Sequence, residues 1–385
     1  MSTVEFDLTS MLVETQLFTD EEPLRLRCGA QLPGFQLAYE THGTLNAARD
    51  NAVLLFHAMT GSHHAAGETP AVAGVDGRWT GEMQSGWWDG FIGPGRAIDT
   101  HKFFVICANY LGGCYGSTGP ASPRENGEPW SADFPCIRLA DIVDSQLRLV
   151  DSLGIKTLHA AIGASVGGLL ALSLATRYPA RVRNVVPIAC GIETTIYQRI
   201  INFEQINAIE SDANFRGGHY ADAPPNAGLA LARRIAHKTF VSQEALRERA
   251  RGEIVTQTPP FGWYAINSAI ESYMLHQGHK FTARFDANSY LRILDAWQWF
   301  DLVREAGAES FDDVFARCRG QKFLVFSIDS DLAFRPEEQQ KLVDFLQRAD
   351  VDALWITVHS EKGHDSFLLE PRLYAPHLRA LLDGE

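Results

Sequence analysis

Leu158-His-Ala-Ala-Ile-Gly-Ala-Ser165-Val-Gly-Gly-Leu-Leu-Ala-Leu-Ser-Leu-Ala-Thr-Arg-Tyr178-Pro179 decides the fold. Its first half is a short apolar run of buried-strand length, and its second half, from Gly167 to Tyr178, has helical patterning that ends ahead of a proline. Between them lies Gly163-Ala164-Ser165-Val166-Gly167, a G-x-S-x-G sequence in the strand-to-helix context that a nucleophile elbow requires. The turn is tight, so a Cβ at either glycine position would collide with the facing chain. The serine hydroxyl would stand at a helix N-terminus, where the dipole and unpaired N–H groups favour a developing oxyanion. A glycine-rich turn capped by a serine fits the pentapeptide alone equally well.

Working outward, similar apolar runs recur at Ala52–Met59, Phe103–Tyr110, Val185–Cys190, Phe323–Ile328 and Leu354–Val358. Helical patterns fall between them, notably Ile137–Leu153, whose Leu139, Ile142, Leu147 and Val150 share a stripe. Strand and helix alternate, which predicts an α/β core with a mostly parallel sheet. From about residue 191 to 318 the pattern changes to helices and loops, including Leu229–Phe240 and a polar, aromatic-rich stretch from Gln257 to Trp299. The expected organisation is a core in two parts, 1–190 and 319–385, carrying a helical lid at 191–318.

Bulk properties narrow the functional classes. Acidic residues outnumber basic ones, 47 to 34, for a formal charge of -13, the wrong sign for gripping phosphate backbones or anionic lipid. An anionic cosubstrate would need a local basic cluster. No apolar stretch reaches membrane-spanning length, and the N-terminus lacks the order of a signal peptide, so a cytoplasmic location is expected. The six cysteines form no CxxC pair and read as thiols. His63-His64 is the only adjacent histidine pair and lacks the spacing of a metal motif, so no metal is expected. The glycine-rich segment Leu111–Pro120 fits neither dinucleotide nor P-loop patterns and reads as a loop.

A serine nucleophile needs a base, and the base needs an orienting acid. Ser330-Asp331 follows one strand-like run, Gly363-His364-Asp365 follows the next, and Ser165, Asp331, His364 stand in the chain order of the α/β-hydrolase fold. Asp329, two residues away, competes for the acid's role, and spacing does not separate the two. His57-Ala58-Met59-Thr60-Gly61 ends an early strand where this fold supplies an oxyanion donor, which nominates the N–H groups of Met59 and Val166.

With these residues in view, the chain resembles the homoserine O-acyltransferase family. The matching stretches span nearly its whole length: HAMTGSHHAAG (57–67), GWWDGFIGPGRAIDT (86–100), ANYLGGCYGSTGPAS (108–122), GASVGG (163–168), GLALARRIAHKTF (228–240), SYMLHQGHKFTARFDANSY (272–290), SDLAF (330–334) and GHDSFL (363–368). The resemblance implies Asp331 as the acid, Arg233 and Asp365 as holders of the amino-acid acceptor, a homodimer, and double displacement from an acyl-coenzyme A through an acyl-Ser165 intermediate, with no permanently bound cofactor. Homoserine is a zwitterion, so a guanidinium for its carboxylate and a carboxylate for its ammonium suit it. Two departures stand out: the elbow reads GASVGG where relatives usually have GGSMGG or GGSLGG, and Phe240 replaces a common tyrosine near the acceptor site.

An acetyl donor is the primary expectation, because HAMTGS and GASVGG offer no arginine or lysine to a succinyl carboxylate. Succinyl-CoA is the alternative, with His63, His64 or a basic lid residue as its partner. Serine as acceptor, an esterase or thioesterase using the same triad, and a non-catalytic binding protein complete the rival readings.

Overall fold

In the computed structural model, residues 12–75, 77–220, 223–250 and 263–384 are described. An eight-stranded sheet forms the centre: β1 Gln16–Asp20, β2 Phe35–His42, β3 Ala52–Phe56, β4 Phe104–Ala108, β5 Leu158–Ala164, β6 Val182–Ile188, β7 Lys322–Ile328 and β8 Asp352–Val358. Their spatial order is β1-β2-β4-β3-β5-β6-β7-β8. The six strands from β3 to β8 run parallel, while β1 and β2 form an antiparallel edge. This is the expected α/β-hydrolase architecture.

Strands β3 and β4 are apolar and buried throughout because helices cover both faces, whereas β8, at the far edge, is buried only at Val358. Successive side chains point to opposite faces, so Leu54 and Phe56 join one core layer and Val53 and Leu55 the other. Helices α1 (Leu139–Ser152) and α2 (Val166–Arg177) fill the first layer. The second includes α12 (Pro371–Asp383) with Trp88 and Phe91. The unforeseen strand β2, paired between β1 and β4, carries Glu40, wholly buried. A charge inside FQLAYETH breaks the apolar run that marks the other strands.

Between β6 and β7 the chain forms α3 (Ile196–Glu210), α4 (Asn226–Phe240), α5 (Gln243–Arg249), α6 (Ala269–Thr282), α7 (Ala287–Gln298), α8 (Leu302–Ala306) and α9 (Phe311–Ala316), with no strand among the described residues. Residues 257–262 of the aromatic-rich stretch lie outside the described residues, as do 1–11 of the N-terminus. Helix α3 packs on α4 and α4 on α6, and α4 also meets the short turn Gly363–Asp365 that follows β8. α10 (Pro336–Arg348) then connects β7 to β8, and α11 (Ser366–Leu369) precedes α12. Cys107, Cys114, Cys190 and Cys318 are buried free thiols, whereas Cys28 and Cys136 are exposed. No helix among the described residues is long and apolar enough to cross a membrane.

Candidate active site

Strand β5 ends at Ala164 and α2 begins at Val166, leaving Ser165 alone at the turn with φ 59° and ψ −127°. Such a backbone is costly for a side-chain-bearing residue and persists only where its surroundings impose it. A Cβ on Gly163 would lie 2.0 Å from the Gly167 carbonyl oxygen, and one on Gly167 would lie 2.3 Å from that of Phe56. The Ser165 N–H donates to the Ile188 carbonyl at 2.9 Å, tying the elbow to β6. Val166 is the first residue of α2, so its N–H belongs to the set without an intrahelical acceptor.

Asp331 follows β7 in a turn that presents two backbone donors to its carboxylate. Oδ1 accepts from Ala333 N–H at 2.7 Å and Phe334 N–H at 2.9 Å. Oδ2 lies 2.6 Å from Nδ1 of His364, which sits in a short 3-10 turn after β8. Gly363 reaches this turn with φ +71°, where a Cβ would press to 2.6 Å of the Ser242 N–H nitrogen. The His364 ring stacks on Phe334 and meets Phe367 edge-on, with centroids 5.6 and 5.3 Å away. Burial alone would depress the imidazole's pKa, but the charge and hydrogen bond of Asp331 outweigh it and raise it. Nε2 is buried without a hydrogen-bond partner among the described residues. Asp329 is elsewhere: it accepts from Ser360 N–H and pairs with the exposed His359 at 2.8 Å.

Ser165, His364 and Met59 line one cavity of ≈ 280 Å³, together with Arg233, Phe240, Arg284 and Asp365. Met59 stands in a tight turn closed by the Gly61 N–H donating to the Ala58 carbonyl at 2.8 Å. Arg233 projects from α4 between two aromatic faces, 4.9 Å from the Phe281 centroid and 5.4 Å from that of Phe240. Burial and then repulsion by Arg284 lower its pKa. Asp365 shows the opposite sign: burial raises its pKa, against the partial pull of His364, Arg233 and Arg249. Among the described residues it pairs with the Arg249 guanidinium, at 3.7 Å.

The two adjacent histidines are committed to structure. His64 Nδ1 lies 2.8 Å from Glu40, while its Nε2 faces the carbonyls of Gln84 at 2.8 Å and Gly67 at 3.1 Å. Acceptors at both nitrogens hold the ring as an imidazolium, consistent with a pKa that Glu40 and the carbonyls raise against burial. His63 is wholly buried, and its Nε2 meets Thr15 Oγ1 at 2.9 Å. His64 also lines the cavity of Ser165, and His63 Nδ1 is buried without a hydrogen-bond partner among the described residues. Among the described residues, no three His, Cys, Asp or Glu side chains come together to hold a metal.

Arg284 is a cavity residue to which sequence reasoning gave no role, although it lies inside the stretch 272–290. Linear spacing carried no sign that a residue between α6 and α7 folds back to the loop after β3. Its presence beside Arg233 also removes the premise of the acetyl expectation, since HAMTGS and GASVGG are not the cavity's only walls.

A strained serine, a histidine whose Nε2 is unpaired among the described residues and a buried aspartate bonded to that histidine, at the ends of β5, β8 and β7, are the set of groups that a hydrolase-fold enzyme of the nucleophilic-serine class uses. The description of the alpha/beta hydrolase fold matches residues 51–371. The homoserine O-succinyltransferase of Cellvibrio japonicus is 43% identical over 94% of each chain. Among solved structures, a homoserine O-acetyltransferase from Bacillus anthracis superposes with TM-score 0.86 at 26% identity, covering 97% of this chain and 98% of its own. Esterase E22 superposes with TM-score 0.85 at 25% identity, covering 96% and 100%. The chain belongs to the homoserine O-acyltransferase family. The succinyl alternative fits these relatives better than the acetyl expectation does, because the curated relatives at 40–43% identity are named succinyltransferases.

Proposed function

We propose that the protein transfers a succinyl group from succinyl-CoA to the hydroxyl of homoserine by double displacement through Ser165. The observation that carries the mechanism is the 2.6 Å contact between Asp331 and His364, whose other nitrogen is buried in the cavity that Ser165 lines. His364 takes the Ser165 proton as Oγ attacks the thioester carbon. The tetrahedral oxyanion accepts from the Met59 and Val166 N–H groups. Collapse expels the coenzyme A thiolate, which takes the proton from His364. The homoserine hydroxyl then loses its proton to His364 and attacks the acyl-serine, and collapse returns the proton to Ser165. Asp331 holds the imidazole in one tautomer and stabilises its cation.

Arg233 and Asp365 fit the carboxylate and ammonium of the acceptor, and Phe240 gives that pocket an apolar wall in place of a hydroxyl. The helices of 191–318 act as a lid that favours the acceptor over water. The guanidinium groups lining the cavity give it a positive field, so a second carboxylate would not enter a purely apolar space, where its burial would be costly. The test is kcat/KM for succinyl-CoA and acetyl-CoA against homoserine, serine and water. Preference for succinyl-CoA with homoserine is expected. Preference for acetyl-CoA would overturn the donor, and equal turnover without acceptor would make the protein a thioesterase.

A further inference from the structure

We infer that Arg284 is a positioning residue which fixes the oxyanion turn from the inserted helices. The inference rests on the assignment of Met59 as an oxyanion donor. The turn's carbonyls have separate keepers. Tyr110 OH donates to the His57 carbonyl, the Gly61 N–H and the His57 ring meet that of Ala58, and Trp87 Nε1 holds that of Ser62 at 2.9 Å. These four donors lie in the core part of the chain. The Thr60 carbonyl, two peptide planes beyond the one that carries the Met59 N–H, accepts from Arg284 Nη1 at 3.0 Å. Arg284 lies between α6 and α7 and reaches across 224 positions of sequence to make this bond.

The guanidinium is itself held rigidly. Nη1 also donates to Tyr115 OH at 3.0 Å, and that hydroxyl donates to the Arg284 carbonyl at 2.9 Å. Nε faces Glu82 at 3.4 Å, and the Phe281 ring lies 5.1 Å from the guanidinium carbon. Tyr115 is wholly buried, and the Arg284 side chain is only 13% exposed. A planar fork locked on several sides suits a register pin, since an ammonium cannot meet acceptors in the same plane. Through this pin the inserted helices, which carry Arg233, set the angle of the Thr60 peptide and with it the aim of the Met59 N–H. An oxyanion donor acts only when aimed at the position the oxygen takes in the transition state.

The test is the single-turnover acylation of Ser165 at saturating thioester, with acetyl-CoA and succinyl-CoA in parallel, on the full-length protein and on Arg284→Lys, Arg284→Met and Tyr115→Phe. Arg284→Met should slow acylation by both donors by a similar factor, on the order of 10- to 100-fold, the scale of losing or misplacing one oxyanion donor. Arg284→Lys should fall between it and the native protein. Tyr115→Phe, which keeps the guanidinium and removes one of its anchors, should lose less than Arg284→Met in the same step and covers the case of a methionine variant that fails to fold. The KM for homoserine should stay within about threefold, because the acceptor charges are met by Arg233 and Asp365. A native rate in Arg284→Met, or in both Arg284→Lys and Tyr115→Phe should the methionine variant not fold, overturns the inference. So does a loss confined to succinyl-CoA, which would make Arg284 a donor-binding group. If the native protein forms no acyl-enzyme, the proposed mechanism itself fails, a result distinct from normal acylation by the Arg284 variants.

Discussion

The two walls of the cavity differ in how far their charges are satisfied. On the core wall, Asp331 accepts two backbone N–H groups and the His364 ring. On the other, Arg233 faces two aromatic rings with no carboxylate within ion-pair distance among the described residues, where Asp365 pairs with Arg249 at 3.7 Å. Burial weakens the charged form of both Arg233 and Asp365. The core wall is therefore hydrogen-bonded before any substrate arrives, whereas the other wall, in the proposed function, awaits the carboxylate and ammonium of a zwitterionic acceptor. Preorganisation lowers the barrier of the chemical step, and a desolvated unpaired charge gives selectivity for the ligand that pairs it.

Removing the acid should break the comparison most severely. Asp331→Asn is expected to lower kcat on the order of 10³-fold or more, since the amide no longer holds the tautomer the base needs. Asp329→Asn, at an exposed pair with His359, should stay within a few-fold. Steady-state kinetics of the two variants check this, and equal losses would return the acid's role to Asp329.

On the acceptor wall the effect should be smaller and of a different kind. Arg233→Lys replaces a planar fork with a point charge, at a cost of about 2 kcal/mol or roughly 30-fold. It should appear in the KM for homoserine and leave that for the thioester nearly unchanged. A raised thioester KM with normal acceptor KM would place Arg233 at the coenzyme end.

The smallest effect concerns pH. Asp331 lifts the His364 pKa above its ordinary value against the pull of burial. The base must be neutral to take a proton, so acylation should fall as pH drops through that raised pKa, above about 6.5. For stability the sign is opposite: the pair's contribution is fully present below the unfolded pKa of about 6.5 and fades as pH rises through the folded one. In Asp331→Asn the acid limb of kcat/KM should move to lower pH. A limb that stays in place would mean another group sets it.

Much of the core wall was legible in the sequence because local chemistry specifies it. The glycines at 163 and 167 are demanded by backbone contacts, and each triad candidate stands at the end of an apolar strand run. Asp329 and Asp331 looked alike because both sit in one turn, and only the path of the chain separates one facing His359 from one facing His364. The other wall was legible through resemblance alone, since Arg233 on its helix carries no local mark of what it faces. Arg284 was missed for the same reason: cavity walls are joined over long sequence separations, and no periodicity records that. Strand β2 was missed because Glu40, paired with His64 inside the fold, looks in sequence like a surface charge.

The most direct measurement is intact-protein mass spectrometry after rapid mixing with succinyl-CoA. The native chain should gain one succinyl group, homoserine should discharge it, and Ser165→Ala should remain folded and gain none. An adduct that persists on the alanine variant, or succinyl transfer to homoserine by that variant at the native rate, would contradict the account.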